Sequence, residues 1–453
     1  MKEKKIGLFT GVAACVGLVI GSNCFLSVGQ GTAAGGKWFL ISLLPVALCY
    51  LILSFSLSEL NDRMPEANGL ISEYLGSVYG PALSLVMVII VYFVSPAFLS
   101  VAEISLCSQI IVTQFIPHGS VVIISCIFVA MLTVINLMGT SVFAKVQDVV
   151  FAVMLFTLIA LSLVGCLKLA PGAVAVGKSS SGGFQSMMTS IGFSAFIFLG
   201  IDMVVPLAKD MKDPHRQIRQ ALLIGVALLL LVYGMLSIGL MNYLPLDVLG
   251  KDVTPNITYA KKIFGSFGYY WMGIATIFAA ISTANTSLAS CPRIIARSAE
   301  DGMLPAVFAK FNKKGANYNA LFLLSAVQIG IIILAPFLDI TTMMNIGLAF
   351  YLVVYIMVNV AVLKLRRDDQ SEKSSGKAIL KNIPQIASVA GFAYVLYVLL
   401  SDGLLLKLTL IVFLGAILFS ALWCIKVKNV KPFRPTKYQT FETLTPRKRI
   451  FFQ

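Results

Sequence analysis

The 453-residue chain is 58% hydrophobic and only 12% charged, against roughly a quarter charged in ordinary globular domains, and its mean hydropathy is +0.90. No soluble core is large enough to hide so much apolar surface, which excludes a water-soluble enzyme or binding module and makes the membrane the natural solvent. The formal net charge of +15 invites a nucleic-acid partner, but the placement of the charges excludes one.

In chain order, Met1-Lys2-Glu3-Lys4-Lys5 precedes an apolar run. No small-residue cleavage site precedes a soluble domain and eleven further spans follow, so the run is expected to be a retained first span rather than a secretory signal. Apolar runs long enough for a hydrocarbon core of about 30 Å predict helices at 7–35, 38–60, 82–113, 120–138, 146–169, 185–208, 217–244, 267–297, 318–337, 341–365, 383–401 and 403–425. The predicted fold class is therefore an all-α integral membrane protein of about twelve transmembrane helices. Residues 1–365 would form a core of ten helices in two blocks of five, followed by a polar cytoplasmic loop (366–382), helices eleven and twelve (383–425) and a basic tail (426–453).

Several spans carry helix breakers. Gly21-Ser22-Asn23 sits mid-way through the first, Gly200 and Pro206 interrupt the sixth, and Pro292 lies in the eighth. Such breaks free backbone groups that lipid cannot satisfy, so they belong where protein or water surrounds them. The first and sixth spans each lead a block of five. Breaks at matching places in two halves mark a transporter's binding site.

With the N-terminus in the cytoplasm, 28 of the 35 Lys and Arg fall on the cytoplasmic side and seven outside. That asymmetry obeys the positive-inside rule. The charge is topological, placing both termini in the cytoplasm and the protein in the plasma (inner) membrane, with lipid rather than nucleic acid as its surroundings.

Gly172 to Ser179 fits the phosphate-loop pattern G-x-x-x-x-G-K-S, but the chemistry needs a strand before it and a helix after it. Here the pattern lies in an outer loop with neither, so no nucleotide cofactor is expected. The eight cysteines are scattered through the spans without metal-ligand spacing, as small buried apolar residues would be. The only histidines, His118 and His215, lie in loops. No catalytic or metal cluster is in view, and neither an enzyme nor a cofactor is expected. Asn256-Ile257-Thr258 matches a glycosylation sequon, which carries no weight without a known cell type.

Two carboxylates fall inside spans: Glu103 in the third and Asp202 in the sixth. A carboxylate at the bilayer centre costs about 2.5–3.5 kcal/mol, so it should face the bundle interior with a proton, a partner or a cation. Asp202, beside the break, is expected to serve gating or proton coupling. For Glu103 that role and a hydrogen-bonded contact between helices stay equally open.

Four blocks in order give the chain a specific resemblance. Gly21-Ser22-Asn23-Cys24-Phe25 is similar to G-S-G-I-F, and Ser58-Glu59-Leu60 with Pro65, Gly69 and Tyr74 to A-E-L…P…G-G…Y. Phe196 to Asp202, continuing to Lys212-Asp213-Pro214-His215-Arg216, is similar to F-x-G-F-E…K-N-P-x-R. Arg293 to Ala299, Asp301-Gly302-Met303-Leu304-Pro305 and Asn319-Ala320-Leu321 complete the set. Over residues 7–365 the chain resembles the APC superfamily of amino acid–polyamine–organocation permeases.

The resemblance implies an inverted five-plus-five repeat with broken helices one and six, and secondary transport of amino acids by alternating access. It also implies a substrate carboxylate on N–H groups around Ser22 and Asn23, with Cys24 beside them. The amino group would rest on carbonyls near Val19, Phe196 and Leu199, and Phe196 or Phe198 would gate. Half-helix N-termini attract anions and C-termini attract cations, so the physics agrees.

Three departures stand out: Asn23 for a glycine, Asp202 for a glutamate, and Met154 where some proton-coupled members carry a lysine. Ser282 and Thr283 are candidate hydroxyls of a sodium site. The expected activity is proton-linked symport or exchange of an amino acid, preferably neutral. A polyamine or cationic amine exchanger and a non-transporting amino acid sensor are the alternatives. The loop from Gln114 to Ser120 holds no cysteine, so no disulfide-linked partner subunit is expected.

Overall fold

The structure, a computed structural model, describes residues 8–64, 71–138, 143–173, 183–202, 214–300, 302–313, 315–334, 338–368 and 377–434. Lipid satisfies no backbone group, so each apolar run must close its own hydrogen bonds. Among the described residues the regular elements are all helical.

The first span comes in two pieces, α1 (Leu8–Val19) and α2 (Ser22–Gly35), and a tight turn at Gly36 leads into α3 (Lys37–Arg63). A short α4 (Ile71–Tyr79) precedes the third span, built from α5 (Pro81–Ile89), a π-helical turn (Ile90–Val94) and α6 (Ser95–Gln114). Next come α7 (Val121–Met138), α8 (Phe143–Cys166), α9 (Phe184–Phe196), α10 (Pro214–Tyr243), α11 (Leu246–Leu249) and α12 (Pro255–Glu300). The chain continues with α13 (Tyr318–Leu334), α14 (Ile340–Asp368), α15 (Lys377–Leu400) and α16 (Gly403–Lys426). Among the described residues eight helices are long and apolar enough to cross a membrane, and two shorter apolar ones run over Ala152–Cys166 and Tyr318–Leu334. With the first span in its two pieces and the sixth described as far as Asp202, these match the order of the twelve expected.

Four local features depart from the sequence expectation. The nine residues of α4 are too few and too polar to register as a span, yet Ile71, Tyr74, Leu75 and Val78 are buried. In the third span Pro96 lacks an N–H, and the preceding turn widens so that the Ser95 N–H reaches the Ile90 carbonyl; such a bulge is a known response to a broken ladder. The eighth span is not interrupted at Pro292, which lies within continuous helix; its kink is at Gly265, with φ of 60°. Residues 255–264, ahead of that kink, add a helical arm. It packs closely: Pro255 fills the space a Cβ on Gly29 would need, and the Tyr259 hydroxyl wedges between Gly165 and Gly239.

Part of the expected cytoplasmic loop is helical at its edges, since α14 ends at Asp368 and α15 starts at Lys377. Of the phosphate-loop pattern only Gly172 and Ala173 are described; Val174 to Ser179 lie outside the described residues, as do Pro65, Gly69, Pro206, Lys212, Asp213, Asp301 and the tail beyond Arg434. For the site, the decisive packing is α2 against α9, α6 and α12, with α14 against α6 and α3 against α9 and α15. These contacts set the first and sixth spans side by side inside the bundle.

Candidate functional site

At the first break the chain leaves helical geometry at Ile20 and Gly21 and resumes it at Ser22. The Ile20 N–H donates to Val16 O at 3.0 Å and the Gly21 N–H to Val19 O at 2.8 Å. The first amides of α2 therefore have no acceptor within their own helix. Glu103 of α6 takes them. Its Oε2 accepts the Ser22 N–H at 3.0 Å and the Ser22 hydroxyl, and its Oε1 accepts the Asn23 N–H at 3.3 Å. The Asn23 side chain donates to Leu99 O at 3.4 Å, while its Oδ1 is buried with no partner among the described residues. Cys24 Sγ donates to Val19 O at 2.9 Å.

Space at this break is exhausted. A Cβ on Gly21 would collide with the Glu103 carboxyl group and stand 3.3 Å from Thr283 Oγ1 of α12. Burying Glu103 costs about 2.5–3.5 kcal/mol at mid-membrane, and each hydrogen bond to a charged group returns about 1.5–3 kcal/mol. Three such bonds outweigh the burial, so the carboxylate has a physical reason to sit there.

The sixth span breaks where α9 ends at Phe196. The Leu199 N–H folds back to Phe196 O at 3.0 Å and the Ile201 N–H to Phe198 O at 3.4 Å. Gly200 has φ of 96°, a backbone state that side chains with a Cβ rarely adopt. The turn delivers Asp202 to Tyr355 of α14, whose hydroxyl donates to Oδ1 at 2.6 Å. Tyr50 of α3 donates its hydroxyl to Ala195 O at 2.9 Å, and so meets a carbonyl near the end of α9. Its ring lies 5.7 Å from Phe198, 5.6 Å from Tyr355 and 5.3 Å from Phe392.

The two breaks adjoin: a Cβ on Gly200 would lie 3.9 Å from Val19 Cγ2. All nine residues singled out from the sequence are buried, Leu199 being the most open at 8%. At the first break Glu103 bonds to Ser22 and Asn23, and Cys24 bonds to Val19. Phe196, Phe198, Leu199 and Asp202 lie on the turn opposite. The break, expected at Gly21-Ser22-Asn23, is confined to Ile20 and Gly21. For Glu103 the structure displays the interhelical contact, and it ends on the very amides expected to serve the site.

Sequence reasoning missed Tyr50, Tyr355 and Tyr233. Tyr233 of α10 faces Cys24. Each is a polar side chain mid-way along an apolar run, a signal too common in helices to single out without the fold. Met154 is buried in α8. Of the two serine and threonine candidates, Thr283 reaches the first break, whereas the Ser282 carbonyl accepts the Thr286 hydroxyl at 2.9 Å. Asn256 of the sequon is buried and donates to Thr276 Oγ1 at 2.8 Å. Among the described residues the cysteines form no disulfide and no group of His, Cys, Asp and Glu is arranged to hold a metal ion.

Two interrupted helices that meet at buried polar groups, inside a bundle of apolar spans, define a multi-pass membrane carrier. Comparison with known proteins narrows that class. The profile of the family described as "Amino acid permease" matches residues 6–426, and the chain belongs to that family, whose members are transporters of the APC superfamily rather than enzymes. It is 21% identical over 439 residues to the inner membrane transport protein YbaT of Escherichia coli (strain K12), covering 95% of this chain and 97% of that one. It is 24% identical over 406 residues to the serine/threonine exchanger SteT of Bacillus subtilis (strain 168), covering 87% and 90%. It is 26% identical over 404 residues to a vacuolar cationic amino acid transporter of Arabidopsis thaliana, covering 84% of this chain and 62% of that one.

Proposed function

We propose that the chain moves an amino acid across the plasma membrane by alternating access, with the substrate held between the two breaks. The carboxylate would lie on the Ser22 and Asn23 amides, beside Cys24. The ammonium group would lie on carbonyls near Val19, Phe196 and Leu199. Phe196 and Phe198 would close the site, and Asp202 and Glu103 would sense charge or carry a proton. The observation that carries this reading is the adjacency of Val19 and Gly200, which sets a helix N-terminus and helix C-termini around one point. Such a point suits a zwitterion.

Proton-linked symport or exchange is the mode in keeping with this arrangement, and the relatives include a named exchanger. A neutral substrate is preferred, because both intramembrane carboxylates already have partners. The cytoplasmic surplus of Lys and Arg supports inward-facing termini. A cationic amine is the second reading, supported by the same two carboxylates. Labelled amino acids offered to proteoliposomes test the proposal. Saturable uptake is expected, stimulated by unlabelled amino acid on the opposite side for exchange, or by acid on the side of the labelled substrate for proton symport. Binding without uptake would instead make the protein a sensor.

A further inference from the structure

Glu103 occupies the place where the amino acid reading puts the substrate's own carboxylate. The geometry points to Glu103 as an internal stand-in for that carboxylate, which an arriving amino acid must displace, so that each amino acid bound brings one proton onto Glu103. This rests on the amino acid reading given above and adds a coupling device to it.

Displacement follows from counting acceptors. The Ser22 and Asn23 amides both point to Glu103 at 3.0 and 3.3 Å, and each N–H serves one strong acceptor. A substrate carboxylate that takes them strips Glu103 of its bonds to both amides. The Asn23 Oδ1, buried and without a partner among the described residues, adds a vacant acceptor at the same spot, as an ammonium group requires.

The proton follows from what surrounds Glu103. Its partners are two backbone amides and one hydroxyl. The titratable groups that face it are Cys24 from α2, Tyr233 from α10 and Cys107 on its own helix. α12 brings the Thr283 hydroxyl to the same break. Among the described residues no cation pairs with Glu103, and α7, α13 and α14, also packed on α6, supply it no partner. Two carboxylates competing for one pair of amides in a buried site cannot both stay ionised. The displaced group is the one stripped of both amides and left with the Ser22 hydroxyl alone, so Glu103 takes a proton from the aqueous side to which the site is open and becomes a neutral carboxylic acid. When the amino acid leaves, the carboxyl group returns its proton and its oxygens regain the amides. A substrate lacking a carboxylate would leave Glu103 where it is and carry no such proton.

The test pairs each amino acid with the amine that lacks only its carboxylate: L-alanine with ethylamine, L-leucine with isoamylamine, L-arginine with agmatine. Titration calorimetry of the purified protein, in two buffers of different ionisation enthalpy, counts protons per ligand bound. The expected result is uptake of close to one proton with an amino acid and no binding of its amine. Affinity should fall by up to about tenfold per pH unit on the alkaline side, and Glu103→Gln should bind without proton uptake or pH dependence. Amino acid binding to the unaltered protein with no proton taken up overturns the inference while leaving amino acid transport intact. So does an amine that binds as tightly as its partner, or a folded Glu103→Gln protein that still takes up the proton. The count on the unaltered protein decides the matter even if that variant does not fold. Failure of every amino acid to bind or to be taken up would remove the amino acid reading itself, and this inference with it.

Discussion

Tyr355 hands its hydroxyl to Asp202 at 2.6 Å, joining the middle of α14 to the turn that ends the first half of the sixth span. Both side chains are buried. The bond is thus a tie between a continuous helix and an interrupted one, at the point where the interrupted one has least structure of its own.

Removing that hydroxyl should cost about 1–3 kcal/mol, because a buried acceptor is left unsatisfied. Tyr355→Phe is expected to melt earlier in detergent and to slow amino acid uptake. The loss should shrink when Asp202→Asn is already present, since the acceptor that suffered has then changed. Equal losses in both backgrounds would show that the hydroxyl acts elsewhere.

Gly21→Ala should abolish or cripple uptake. Its Cβ would run into the Glu103 carboxyl group and Thr283, forcing α6 or α12 away from the break. Gly234 on α10 has nothing within 4 Å of the point where a Cβ would stand, and Gly234→Ala should transport normally. It should also melt no lower, since alanine favours helix by about 1 kcal/mol over glycine. Comparing initial uptake rates of the two variants at equal surface expression checks the contrast.

A cluster far from the breaks holds one end of the bundle. Arg366 of α14, 7% exposed, donates to Glu59 of α3 through Nε and one terminal nitrogen. Its other terminal nitrogen reaches Lys381 O, Asn382 and Gln385 of α15 at 2.8–3.1 Å. Arg366→Ala would leave Glu59 short of its strongest partner and is expected to cost about 3 kcal/mol. Arg366→Lys should recover only part, because an ammonium cannot reproduce the planar fork. Thermal unfolding of the purified variants gives the ordering.

Expressed in a glycosylating host, the protein should carry no sugar at Asn256. The side chain is buried and bonded to Thr276, and its helical arm lies against α2. A glycosidase-sensitive shift in gel mobility, lost in Asn256→Gln, would contradict this placement of the arm.

Legibility from sequence differed by feature. The two breaks were readable because Gly21 and Gly200 stand in otherwise apolar runs, and lipid tolerates bare backbone only inside protein. The span count was readable for the same reason. The arm over 255–264 and the π-helical turn were not. The first is amphipathic and short, and the second keeps the composition of an ordinary helix, differing only in how Pro96 forces the ladder to slip. Ser22 and Asn23 were found through local pattern. Tyr50 and Tyr355 were not, since a tyrosine in a span gives no sign of which neighbour its hydroxyl will meet.

By itself the sequence determined that the chain lives in a membrane, where its apolar spans run, that breaks fall at Gly21 and Gly200, and which two carboxylates must face inward. These follow from the solvent: hydrocarbon demands apolar length and penalises each unsatisfied polar group, and both demands are written locally. The tertiary structure alone decided that Glu103 ends on the Ser22 and Asn23 amides, 81 and 80 positions away, and that Asp202 ends on Tyr355. Pairing across such separations depends on which helix faces bring their donors within 3 Å of a buried acceptor, and no local pattern carries that information.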